Sequence, residues 1–186
     1  RIAQNLRTTY IDHSDYYDPT TKNNLDLVQW AIEAHSSGWG YVWGTYGHVL
    51  TRSYYEAKLA QYPEGVGNYA DFILANWLGK RTADCVGLVK GYCWFDPEAQ
   101  SIGYAVNGMP DIATEQMIEW CDEKGSMDTM PEIPGLLLWM DGHVGIYIGD
   151  GYAIEAMGTR YGVVKTQVAG RGWQKWGKIP CIEYIE

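Results

Sequence analysis

The sequence predicts an α+β domain, with helices in the first two thirds of the chain and an antiparallel sheet in the last third. Three observations predict it. As far as about Glu123, apolar residues recur at the three- and four-residue spacing of helices packed on a core. After Pro134 the period falls to two, the spacing of strands with one buried face. Within that second region, Asp141-Gly142 and Asp150-Gly151 separate alternating runs, and Asp-Gly between such runs signals a tight hairpin. Helices followed by hairpin-linked strands segregate to two sides of one core. With 186 residues and a hydrophobic fraction of 46%, the chain is large enough for one real core and too apolar for a disordered one.

Residues 1–22 are polar and aperiodic, and read as an extension packed on the domain or partly disordered. Asn24 is the expected cap of a first helix that runs to about Ser37. Leu25, Val28, Ala31, Ile32 and His35 form its apolar face, and Gly38 stops it. The segment at about 45–83 shows one helical stretch, about Asn68 to Leu78, ended by Gly79. A helix begins near Asp84 and runs to about Trp94. Another spans about Ile112 to Glu123, capped by Asp111 and closed by Gly125. About five strands follow, near Leu136–Met140, His143–Ile148, Tyr152–Met157, Gly162–Val168 and Lys178–Ile185.

Composition narrows the function. Twenty-three acidic against 14 basic residues leave a formal charge of −9. That argues against nucleic acid, whose binding rests on clustered Lys and Arg, and against docking by charge on anionic membranes or wall polymers. Nine Trp and fifteen Tyr against two Phe favour half-wet surfaces such as a groove, or simply fill the core. No run approaches the roughly 20 apolar residues of a membrane span. The chain starts at Arg1 and shows no signal peptide, so it reads either as a processed form or as an expressed piece, and export is not legible.

Four cysteines could make two disulfides, but their positions do not encourage it. Cys85 and Cys93 lie on one helix, roughly 12 Å apart by helical rise. Cys121 and Cys181 read as small buried hydrophobes. No Cys-x-x-Cys spacing appears, so no metal is expected.

The sharpest chemical signal is Cys85 in Ala83-Asp84-Cys85-Val86-Gly87-Leu88, at a helix start, with His143 opening a strand later in the chain. A helix N-terminus presents unpaired N–H groups and partial positive charge, which favours thiolate. An imidazole can take the thiol proton and return it to a leaving group. A buried structural role is the usual fate of a cysteine, and a strand-end turn the usual fate of such a histidine. Among the other histidines, His13 lies in the extension, His35 on a helix's apolar face, and His48, the rival base, in the 45–83 segment. Gly87 is expected to keep the helix surface low beside the sulfur, and the Cys85 N–H to serve as an oxyanion donor.

Three segments stand in order: Gly40-Tyr41-Val42-Trp43-Gly44, Asp84-Cys85-Val86-Gly87-Leu88, and Gly142-His143-Val144-Gly145-Ile146-Tyr147-Ile148-Gly149, with Pro134-Gly135 before the last. Together they resemble the motif blocks of the NlpC/P60 cysteine peptidases, over roughly Asn23 to Glu155. The resemblance implies a papain-like fold, a catalytic domain over 23–186 with an insertion at about 45–83, and a location outside the cell or in its envelope. It further implies a peptidoglycan stem-peptide substrate, cut between D-glutamate and the diamino acid by thiol chemistry that needs no cofactor. Tyr41 matches the family tyrosine whose hydroxyl lies near the sulfur. Asp84 matches the acid that contacts a substrate amine in some relatives, although a helix cap is its simpler role. The insertion either walls the groove or merely elaborates the surface. Amidase or acyltransferase chemistry on the same thiol is an alternative, as is a binding module without turnover.

The sequence departs from the family where many members carry a histidine that orients the base. Here the text is Ala153-Ile154-Glu155-Ala156, so Glu155 takes that place, and a carboxylate can accept from the imidazole. Register decides whether it reaches. A two-residue Asp150-Gly151 turn would put Glu155 opposite Ile146, on the wrong face. A three-residue Gly149-Asp150-Gly151 loop would put it opposite Gly145, on the His143 face, and this loop is the expectation. A solvent-exposed strand glutamate is the alternative.

Overall fold

The computed structural model describes Ile11 and residues 16–186. The rest of the extension, His13 included, lies outside the described residues. Helix α1, Asn24–Ser36, is capped by Asn23 rather than Asn24: the Asn23 side chain accepts from the Asp26 N–H at 2.9 Å. Asn24 is buried for another reason. Its amide donates to the carbonyls of Pro134 at 2.9 Å and Ile185 at 3.0 Å, and accepts from the Ile185 N–H at 2.7 Å. Asp26 is buried too, its carboxylate accepting from the Tyr17 and Asp18 N–H groups. Because these polar clamps hold inward positions, the buried face runs through Leu27, Trp30, Ala31 and Ala34, leaving Ile32 and His35 outside.

The 45–83 segment is richer than expected. Strands β1, Tyr46–Val49, and β2, Arg81–Ala83, pair antiparallel. Between them run three short helices: α2, Arg52–Gln61; α3, Pro63–Gly67; and α4, Ala70–Asn76. Val42, Leu50, Tyr55, Val66 and Ile73 form a small core of their own there. Helix α5, Cys85–Trp94, is buried along most of its length. The pair β3, Phe95–Asp96, and β4, Ser101–Ile102, follows it. Helix α6, Thr114–Trp120, is shorter than expected and starts after Ala113. Asp111 is no cap, being held by Lys90 at 2.6 Å and the Tyr104 hydroxyl at 2.6 Å.

The sheet has six strands rather than about five. These are β5, Lys124–Ser126; β6, Leu137–Met140; β7, His143–Gly149; β8, Tyr152–Gly158; β9, Gly162–Gln167; and β10, Lys175–Gly177. They lie in the order β5-β10-β6-β7-β8-β9, antiparallel throughout. The strand expected at Lys178–Ile185 is absent; only Glu183 bridges, to Asn23. Pro180 has no N–H to give a ladder, so the ordered strand ends before it. One core joins α1 and α5 to the inner face of the sheet through Leu27, Trp30, Leu88, Val144, Ile146 and Ile154. This α+β architecture sets the start of α5 against the start of β7.

Candidate active site

Asp84 begins the site. Its carboxylate accepts from the Gly87 N–H at 2.7 Å, which caps α5, and from the Gly44 N–H at 2.8 Å, which fastens the Tyr41–Gly44 loop beside the helix. Its own N–H donates to Thr45 at 3.0 Å. Both carboxylate oxygens are therefore engaged by backbone. Gly87 does not serve the purpose expected of it. A Cβ there would sit 1.9 Å from the Thr45 carbonyl oxygen, and one at Gly91, a turn later, 2.1 Å from that of Tyr46. The two glycines make a bare helix stripe on which the start of β1 lies.

Cys85 stands at the first position of α5, half-buried, with its sulfur in reach of the Val144 N–H on β7. Burial pushes the thiol up to about 12, and the Asp84 charge adds to the rise; the N–H groups of Val144, Val86 and Cys85 itself oppose it. Desolvation works against the helix end, so a proton acceptor alongside would favour ionisation.

His143 is the candidate. It lies at the start of β7, with 15% of its side chain exposed, and its Nε2 is 2.9 Å from the Glu155 Oε1. Nδ1 is the ring nitrogen that this contact leaves unused. Trp173 stacks on the ring at 5.5 Å, with 16° between the planes.

Glu155 is fully buried and well partnered. Besides His143, it accepts from the Thr166 hydroxyl at 2.6 Å and from Arg171 Nη2 at 2.5 Å and Nε at 3.1 Å. Burial would raise its pKa, but the hydrogen bonds from His143, Arg171 and Thr166 outweigh it and hold the carboxyl at about 2.

The register is the expected one, with Glu155 opposite Gly145, but the turn that sets it is not. Gly149 pairs with Tyr152, so the turn has two residues, with Asp150 at φ 53 and Gly151 at φ 79. The ladder then shifts between Tyr147 and Gly149, so that Ile146 faces Ile154. Ile148 is the extra residue, and the bulge does what a longer loop would have done. Glu155 ends up beside Gly145, where a Cβ would meet its own Cβ at 3.3 Å.

Tyr41, Cys85 and His143 line one cleft of about 500 Å³, walled also by Trp43, Glu115 and Arg171. Burial, then the charges of Cys85 and Asp84, push the Tyr41 hydroxyl well above its ordinary value, so it is a donor at neutral pH. His48, the rival base, does not line this cleft. It packs between Tyr46 and Tyr54, and burial lowers its pKa. Among the described residues, no group of His, Cys, Asp and Glu is arranged to hold a metal, and no helix is long and apolar enough to cross a membrane.

Sequence reasoning missed Arg171, Thr166 and Trp173. The available signal was Gly170-Arg171-Gly172-Trp173, a cation and an aromatic set among glycines at φ 77 and 99. A buried glutamate requires such a cation, but only the fold shows which one it is.

No family model and no curated protein matches the sequence. Among solved structures it is similar to the NlpC/p60 domain of the peptidoglycan hydrolase SagA, at 19% identity over 84% of this chain and 99% of that one, with TM-score 0.48. It is similar to the peptidoglycan hydrolase RipB from Mycobacterium tuberculosis, at 19% identity over 87% and 68% of the chains, with TM-score 0.47. A P60 domain of an antigen from M. avium subspecies paratuberculosis aligns at 20% identity over 86% and 97%, with TM-score 0.46.

Proposed function

We propose that this chain is a cysteine endopeptidase that hydrolyses peptidoglycan stem peptides between D-glutamate and the diamino acid, outside the cell or in its envelope. One observation carries the chemical part: the 2.9 Å contact of His143 Nε2 with Glu155, beside a thiol that packs on the backbone of the same strand. The three motif blocks carry the substrate class.

In this reading the Cys85 proton passes to His143 Nδ1, and Glu155 holds the ring and steadies the imidazolium. The sulfur attacks the peptide carbonyl carbon, and the charge that develops on oxygen is met by the Cys85 N–H and the Tyr41 hydroxyl. His143 then gives its proton to the departing amine. Water, activated by the same imidazole, releases the acyl group and restores the thiol. Asp84 serves mainly as cap and loop fastener; contact with a substrate amine is the further role that the resemblance gives it.

Mass analysis of fragments from purified peptidoglycan, with Cys85→Ala as control, tests this. The expected products carry a new amino terminus on the diamino acid. Cleavage at the sugar–peptide junction would make the chain an amidase, transfer to an added amine an acyltransferase, and products identical to the control would remove the enzyme reading.

A further inference from the structure

Helix α5 carries a second cysteine at its far end, in a setting unlike that of Cys85. Cys93 is fully buried. Its sulfur lies 3.7 Å from that of Cys181, which sits in the coil after β10. Cys181 is only half-buried and lines an open cavity of about 1210 Å³ with Lys22, Phe95 and Pro180. The two thiols thus differ in access: one faces a cavity, the other lies behind it.

We propose that Cys93 and Cys181 close to a reversible disulfide when the protein meets a disulfide oxidant, a cross-link that pins the C-terminal segment to the helix bearing Cys85. The sulfurs must approach by roughly 1.7 Å, from 3.7 Å to the length of the bond. The movement falls to the Pro180–Cys181 turn, between a tie at Lys178, whose N–H donates to Glu123, and ties at Glu183 and Ile185, which Lys22 and Asn24 hold.

The order of steps follows from access. A hydrogen bond from Cys93 and the nearby Lys22 ammonium hold the Cys181 thiol below its ordinary value, although burial opposes them. Cys181, deprotonated, attacks the oxidant's disulfide, forms a mixed disulfide and expels one thiolate. Cys93 gives up its proton, attacks the Cys181 sulfur and expels the second thiol. Two protein thiols are oxidised by two electrons, and one disulfide of the oxidant is reduced to two thiols.

The closed loop would span most of the sheet, so the expected gain in thermal midpoint is about 10 °C. The test incubates the whole chain with oxidised or reduced glutathione, blocks free thiols, and maps peptides by mass. The expected result is a Cys93–Cys181 linked peptide, with Cys85 and Cys121 still alkylated. The midpoint should rise by that amount, reversibly with dithiothreitol, and the rise should be lost in Cys181→Ala. A stable glutathione adduct on Cys181 without the linked peptide would overturn the proposal, as would pairing through Cys85. Because the readout is a cross-link and a midpoint, it stands or falls apart from peptidase activity. Cys93→Ala checks the partner, and if it does not fold, the peptide map of the unaltered chain still decides.

Discussion

The imidazole side of the cleft and the thiol side are built from different materials. Around His143 the contacts are between side chains: Glu155, Arg171 and Thr166 in hydrogen bonds, and Trp173 stacked on the ring. Around Cys85 they are mostly with backbone: Asp84 on two N–H groups, the sulfur near the Val144 N–H, and bare glycines under Thr45 and Tyr46. The two carboxylates record the contrast. Asp84 has backbone donors only, and burial raises it; Glu155 has a guanidinium and falls to about 2. Environments that push two like groups apart assign them different work. In the proposed chemistry the thiol side would fix position, and the imidazole side would supply the drive for proton transfer.

The largest test removes the sulfur. Cys85→Ala should lower turnover on the order of 10⁵-fold, with the thermal midpoint little changed because the side chain has few polar partners. Retained turnover would take Cys85 out of the chemistry and dissolve the contrast.

His143→Ala comes next and addresses the contrast directly. Turnover should fall about 10⁴-fold, the upper range for a general base and acid. Burial holds the thiol well above its ordinary value, and the imidazole that would take its proton is gone. Iodoacetamide alkylation of Cys85 near pH 7 should then slow on the order of 10²-fold or more. Unchanged alkylation would mean that the helix start does activate the sulfur by itself.

Glu155→Gln should have a smaller kinetic effect, about 10²-fold, since an amide oxygen can still hold the ring but cannot balance its charge. The effect on stability is larger. The carboxyl falls from 4.5 to about 2 on folding, so its contribution is present above about pH 5 and fades as pH falls toward 2. At pH 7 it is worth about 3 kcal/mol. Urea unfolding of both proteins across that range should show the gap at neutral pH and its closure in acid. A gap independent of pH would assign the loss to packing.

Much of this was legible in the sequence, for identifiable reasons. Cys85 and His143 sit at element boundaries marked by an acid cap and an Asp-Gly turn, both local signals. Glu155 was legible through alternation along β8, although the device that sets its register was not: a bulge at Ile148 has no residue signature, and a two-residue turn plus a bulge gives the same facing as a three-residue loop. Arg171 and the contact of Cys93 with Cys181 were hidden because each joins residues that no period links. The apolar face of α1 was misread where Asn24 and Asp26 are buried as clamps, since periodicity counts apolar residues alone. The helices of the 45–83 segment are short and rich in polar tyrosines, so their period is faint.

The smallest test probes the bare stripe on the thiol side. Gly87→Ala would bring a methyl to 1.9 Å from the Thr45 carbonyl oxygen, and backbone cannot yield as a flexible side chain can. The Thr45 strand edge must lift from α5, at about 2 kcal/mol, within the range for overpacking a buried contact. Because Thr45 also accepts from the Asp84 N–H at 3.0 Å, the cap should loosen with it, and turnover should fall about tenfold through misplacement of the sulfur. The denaturation midpoint and the alkylation rate separate the two effects. A lower midpoint with alkylation unchanged would show that the stripe holds the 45–83 segment alone, whereas a joint fall would show that it also aims the thiol.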